Sequence, residues 1–133
     1  MAEAIEIKGV DELIKKLGKV EGRKVLRQPM DDSMALVKAS AMQYPQPIPN
    51  STYVRTNVLK NSWSKPENTY VKDTGNGLQG TVGTNVEYAP WVVSHQFQAR
   101  IHWSRWPTDR GILAKHRPAI VKLFQSAIDK ALR

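Results

Sequence analysis

Three prolines at alternating positions, Pro45, Pro47 and Pro49, divide the chain into two parts with different hydrophobic periods. A proline has no backbone donor and biases its predecessor towards extended geometry, so no helix or central strand runs through such a stretch. The segment reads as a helix stop followed by an extended crossover. Before it the apolar residues recur with a helical period. Val10, Leu13, Ile14 and Leu17 form the stripe of a short amphipathic helix, with Asp11 at its start and Gly18 at its end. Leu26, Met30, Met34, Val37 and Ala41 lie near one face of a second helix. Pro29 predicts a break or kink at Gln28–Pro29 and a main helix from Pro29 to about Gln43, with Asp31 and Asp32 near its positive end.

After the prolines the pattern changes to strands and turns. The runs 68–73 and 78–83 are rich in strand formers, and Thr74-Gly-Asn-Gly77 between them predicts a hairpin. Trp63 is expected on a preceding strand that ends at Lys65-Pro66. The stretch 89–96 is ambiguous between strand and short helix. Gln98 to Gly111 reads as a long loop, and Arg117-Pro118 as the opening of a last helix carrying Ile120, Val121, Phe124, Ala127, Ile128 and Ala131. The expected architecture is a single α+β domain spanning 1–133, with helices packed on one face of an antiparallel β-sheet and a long basic, aromatic loop.

Composition narrows the chemistry. Hydrophobic residues make up 41% and charged residues 24%, a globular rather than a disordered or membrane-embedded balance. No apolar run approaches the ~20 residues needed to cross a bilayer, and the N-terminus carries no pattern of a secretion signal. The absence of cysteine removes disulfides, thiol catalysis and zinc–thiolate sites. A net charge of +8 points to an acidic partner, nucleic acid or protein.

No catalytic constellation or cofactor site is expected. His95, His102 and His116 lack the spacing of metal ligands on one helix. Asp31 and Asp32 are adjacent, so on a helix they face different directions. Ser94-His95 is a dipeptide with no identifiable third member. Gly75, Gly77, Gly80 and Gly83 are spaced like turn residues, and none opens a predicted helix as a phosphate cradle would. The segment from Arg100 to Arg117 stands out. It holds Arg100, Arg105, Arg110, Lys115 and Arg117 with Trp103 and Trp106. Such a mixture serves as a set of protein-interface anchors, binds phosphates and stacks bases, or plugs its own sheet.

Two phrases go further. Tyr53-Val-Arg-Thr-Asn-Val-Leu-Lys-Asn-Ser62 and Val82-Gly-Thr-Asn-Val-Glu-Tyr-Ala-Pro-Trp91 resemble the two signature segments of the tail-completion, or minor-tail (Z-like), family of long-tailed bacteriophages. In that family the first motif follows a proline-containing loop and takes the form Arg-Thr-Gly-x-Leu-x-x-Ser. Asn57 stands here in place of the glycine, and asparagine also tolerates left-handed geometry. Arg117-Pro118-Ala119 matches the start of the family's final helix. Val93-Ser94-His95-Gln96 departs from the usual Glu-Phe-Gly-Thr. Read physically, Tyr88 and Trp91 are spaced to share one face of a short helix and anchor it on the sheet.

The resemblance implies a structural virion protein of the tail and neck, without enzymatic activity. It implies a ring of identical subunits, a hexamer or dodecamer, around the DNA channel, touching neighbouring neck and tail proteins and letting DNA pass without sequence-specific binding. Assembly would take place in the host cytoplasm, with no membrane partner. Tyr88, Trp91, Arg100, Trp103, Arg105, Trp106 and Arg110 are the expected interface residues. The alternative is a nucleic-acid-binding domain that uses the basic aromatic segment 98–117.

Overall fold

A computed structural model describes residues 2–7, 19–43, 45, 58–73, 78–103 and 105–131. The helix expected over 10–17, most of the proline crossover and the hairpin turn at 74–77 lie outside the described residues. The elements run β1 (Glu3–Ile7), α1 (Lys19–Ala41), α2 (Val58–Ser62), β2 (Thr69–Asp73), β3 (Leu78–Thr84), α3 (Ala89–Val93), a 3-10 turn (Arg100–His102) and α4 (Asp109–Ala131). The fold is α+β.

The three strands form an antiparallel sheet in the order β1-β3-β2. Ile5 pairs with Val82 and Ile7 with Gly80, while Val71 pairs with Gly80 from the other side. Directly opposed residues share a face. One face therefore carries Ile5, Ile7, Leu78 and Val82, all buried in the core. The other carries Glu6, Tyr70 and Lys72, which are exposed. Helices α1 and α4 pack against each other, α1 also on β3 and β1, and α4 on β1. Gly80 sits where α1 comes closest. A Cβ there would lie 2.7 Å from the Met30 sulfur and 2.8 Å from that of Met34. Gly80 is thus a contact glycine inside a strand rather than a turn residue.

Three expectations need correction. Helix α1 does not break at Pro29 but runs through it. An internal proline costs a helix about 3 kcal/mol. The unbroken stripe of Leu26, Met30, Met34, Val37 and Ala41, each at most 7% exposed, offsets that cost by burial. Ser33 is also buried and donates its hydroxyl to the Pro29 carbonyl at 2.7 Å.

The last helix starts at Asp109, and Pro118 lies inside it on the exposed side. Thr108 caps it, its Oγ1 accepting the Gly111 N–H at 3.0 Å. Trp63 follows α2 in a turn rather than occupying a strand. It is 1% exposed, and its carbonyl accepts the Thr69 hydroxyl at 2.5 Å.

The two phrases that carry the resemblance meet in this core. Ser62, from the first, shares a hydrogen bond with Thr84, from the second, and both are buried. Ser62 Oγ also donates to the Leu59 carbonyl at 2.7 Å. Asn68 Nδ2, 2% exposed as a residue, donates to the Ser62 carbonyl at 3.0 Å. Thr84 Oγ1 accepts the Val86 N–H at 3.2 Å. Buried polar groups persist only when paired, so this knot fixes how β3 exits towards α3.

Candidate assembly surface

Helix α3 is held by its small and aliphatic residues. Ala89, Val92 and Val93 are buried, whereas Tyr88 and Trp91 are exposed. The expectation that Tyr88 and Trp91 anchor this helix on the sheet is therefore corrected: Ala89 and Val93 take that place. With one side buried, a five-residue helix turns its remaining large residues outwards.

The chain after α3 folds back on it. Ala99 N–H donates to the Trp91 carbonyl at 2.7 Å, and Gln98 Nε2 to the Val92 carbonyl at 2.7 Å and the Trp106 carbonyl at 3.2 Å. Trp103 Nε1 donates to the Gln98 carbonyl at 3.2 Å. Arg100 lies over the Trp103 ring, 5.5 Å from its centroid. The expected long loop over 98–111 is thus shorter and more ordered in geometry, tightened by the 3-10 turn and ended by α4.

This arrangement leaves Trp91 (59%), Phe97 (62%), Ile101 (65%) and Trp103 (56%) exposed, with Tyr88 beside them in sequence. Isolated exposed apolar residues are ordinary, but a concentration of large ones on a single short segment marks an interaction surface. Phe97 and Ile101, exposed here, were not among the expected interface residues, which were tryptophans, arginines and a tyrosine. Their i, i+4 spacing beside Trp103 was the available signal.

Of the expected interface residues, Trp106 does not join this surface. It is half-buried, packs against the core and meets the His102 ring edge-on at 6.0 Å. Arg105 is half-buried, Arg100 is exposed, and Arg110 is exposed on the first turn of α4.

A polar clasp holds the base of the segment. Asp109 Oδ1 accepts the His95 N–H at 3.0 Å, faces His95 Nδ1 at 2.8 Å, and accepts the Arg110 N–H at 2.6 Å. The Glu3 carboxyl, from edge strand β1, hydrogen-bonds to Asp109. Burial, then the Asp109 hydrogen bond and charge, push the Glu3 carboxyl up to about 7. Burial alone would raise Asp109, but hydrogen bonds with Glu3, His95 and Arg110 outweigh it and leave Asp109 below its ordinary value. The upward shift of Glu3 and the downward shift of Asp109 favour the proton on Glu3 and the negative charge on Asp109, at the start of α4 where the helix dipole favours it. Nothing in the sequence signals this set, whose members are distant along the chain.

The three histidines do not converge. His95 is on Asp109, His116 is 2.5 Å from the Ser40 hydroxyl, and His102 is on Trp106. Burial and the nearby Arg105 lower the His102 pKa. Among the described residues no group of three or more His, Asp or Glu side chains is arranged to hold a metal. Ser94 is buried, and its hydroxyl accepts the Gln96 N–H at 3.2 Å.

A family model described as "Bacteriophage HK97-gp10, putative tail-component" matches residues 11–92, more than half of the chain. The chain belongs to this HK97 gp10-like family. Comparison with curated proteins and with solved structures gives no match. Within the HK97 gp10-like match lie α1, α2, the β2–β3 pair, the Ser62–Thr84 knot and Trp91. The match stops at Val92, next to the Val93-Ser94-His95-Gln96 departure. Phe97, Ile101 and Trp103 therefore belong to the part of the surface outside the matched region.

Proposed function

We propose that this chain is a structural, non-enzymatic protein of the phage virion that completes the tail and joins it to the head. It does so as one subunit of a homo-oligomeric ring around the DNA channel, after assembly in the host cytoplasm. Tyr88, Trp91, Phe97, Ile101 and Trp103, with Arg100 and Arg110, supply contacts to neighbouring subunits and to other tail and neck proteins. The observation that carries this reading is the concentration of exposed aromatic and aliphatic side chains on 88–103, in a chain of a tail-component family. Large aromatic and arginine residues are the common anchors of protein interfaces. Closing a ring requires two unlike patches on each subunit, which a domain of 15.0 kDa can carry. The net charge of +8 suits acidic neighbours, while DNA passes through the lumen without base-specific contacts. Among the described residues no helix is long and apolar enough to cross a membrane.

The test is particle assembly without this chain. Heads and tails are expected to accumulate unjoined, and supplying the chain in trans should restore joined particles. Normal joining in its absence would refute the proposal. If 98–117 is instead a nucleic-acid surface, the purified protein will bind DNA with an affinity that falls steeply with salt and depends on Arg100, Arg105 and Arg110.

A further inference from the structure

A second apolar feature lies away from the aromatic segment. Between α1 and α4 runs a groove of about 370 Å³, lined by Val25, Pro29, Leu123 and Ala127, with Asp32 and Lys130 on its rim. It exists because residues of low volume face each other there. Pro29 lacks a long side chain, and Ala127 opposes it on α4. Its volume falls in the range of pockets that take a small molecule, enough for one large side chain.

The two features are separated along the length of α4. The aromatic segment joins α4 at Asp109, and the groove lies by Leu123 to Lys130. At 1.5 Å per helical residue, Asp109 and the groove residues Leu123 to Lys130 are roughly 20–30 Å apart along α4. Two unlike surfaces set apart on one subunit are what a head-to-tail contact requires.

Charge matches them. Asp32 is exposed and accepts a hydrogen bond from the neutral Gln28 amide at 2.9 Å, and it lines the groove together with Lys130. By contrast, the neighbouring Asp31 faces Arg27 at 3.4 Å. On the aromatic segment, Arg100 is exposed and rests on Trp103.

We propose that the α1–α4 groove receives the Arg100–Trp103 stack of a second copy of this chain, with Trp103 filling the groove and Arg100 meeting Asp32. This rests on the assembly reading given above and names the receiving surface within it. Truncating the stack or filling the groove removes the same contact from opposite sides. Copies that lack only one side each retain the complementary one.

Sedimentation velocity on the full chain tests this. Trp103→Ala and Ala127→Arg are each expected to weaken self-association at least tenfold, with circular dichroism confirming an unchanged fold. An equimolar mixture of the two should form a heterodimer and nothing larger. Ala131→Arg, at an exposed position on the same groove, repeats the block should Ala127→Arg disturb the helix pair. Asp32→Arg and Arg100→Asp should each weaken association, and the two together in one chain should restore it.

If the groove variants assemble normally while Trp103→Ala does not, the groove proposal fails and the assembly reading stands. If the variants of both surfaces assemble normally, both fail. A wild-type chain that stays monomeric at every concentration, yet is incorporated into particles, overturns the groove proposal alone.

Discussion

Trp63 and Trp103 are chemically identical, yet 1% of one and 56% of the other meets solvent. Trp63 directly follows helix α2 and is buried in the core, beside the Ser62–Thr84 knot. Trp103 lies on a hydrogen-bonded fold-back whose main attachments are backbone and polar: Ala99 to Trp91, Gln98 to Val92, and Asp109 to His95. The first region has its apolar residues inside and pairs the side chains of Ser62, Asn68 and Thr84, while the buried Trp63 Nε1 has no hydrogen-bond partner among the described residues. The second is held by polar groups and keeps its apolar residues outside. Under the function proposed above, exposed aromatic and aliphatic side chains concentrated on the second region are its contacts to a partner.

This contrast is easiest to break at its buried end. Trp63→Ala should lower unfolding free energy by about 3–5 kcal/mol, as for other buried aromatics, and should shift the denaturation midpoint accordingly. A change below 1 kcal/mol would place Trp63 outside the core. Next in size, Thr84→Val should cost about 1–3 kcal/mol, because Ser62 then keeps a buried hydroxyl with one partner fewer. Urea melts of Thr84→Val, Ser62→Ala and the double variant should be non-additive, since one interaction is lost in all three.

The clasp sharpens the comparison through pH. Glu3 is raised from 4.5 to about 7 in the folded chain, so its stabilising contribution is complete below about 4.5 and is lost as pH rises through about 7. Asp109 is lowered, so its contribution is present above its ordinary value of 3.8 and is lost as pH falls through its folded value. Glu3→Gln keeps a donor for Asp109 but cannot ionise. Its melting curves between pH 4.5 and 7 should be flatter than wild type, and at pH 8 it should be the more stable by on the order of 1–2 kcal/mol after solvent screening. Parallel pH profiles for the two proteins would remove Glu3 from the clasp.

How much of this was legible in the sequence follows the same division. The buried stripe of α1 was readable as Leu26, Met30, Met34, Val37 and Ala41, because helical periodicity survives even where a proline interrupts it. The β2–β3 pair was readable from its β-branched residues and glycine-rich turn. The helix boundaries were not, because Pro29 and Pro118 carry a local cost that tertiary burial overrides. Arg117-Pro118 was read as the opening of the last helix, whereas Thr108 caps it one residue before Asp109.

Edge strand β1 has only Ile5 and Ile7 facing the core, too short an alternation to detect. Of the residues expected at an interface from their type, Trp91, Arg100 and Trp103 are exposed in the fold. Trp106 is half-buried against the core, and composition cannot distinguish a half-buried indole from an exposed one. The clasp and the α1–α4 groove depend on residues brought together only by the fold.

The smallest expected change in stability belongs to the surface itself, and there the central claim is most directly tested. Trp91→Ala and Trp103→Ala, combined in one chain, should alter unfolding free energy by no more than ~0.5 kcal/mol, as for exposed positions, because neither ring is part of the core. Incorporation of the double variant into phage particles, measured by quantifying it in purified virions, should fall at least tenfold against wild type. Wild-type incorporation by a stably folded double variant would contradict the account.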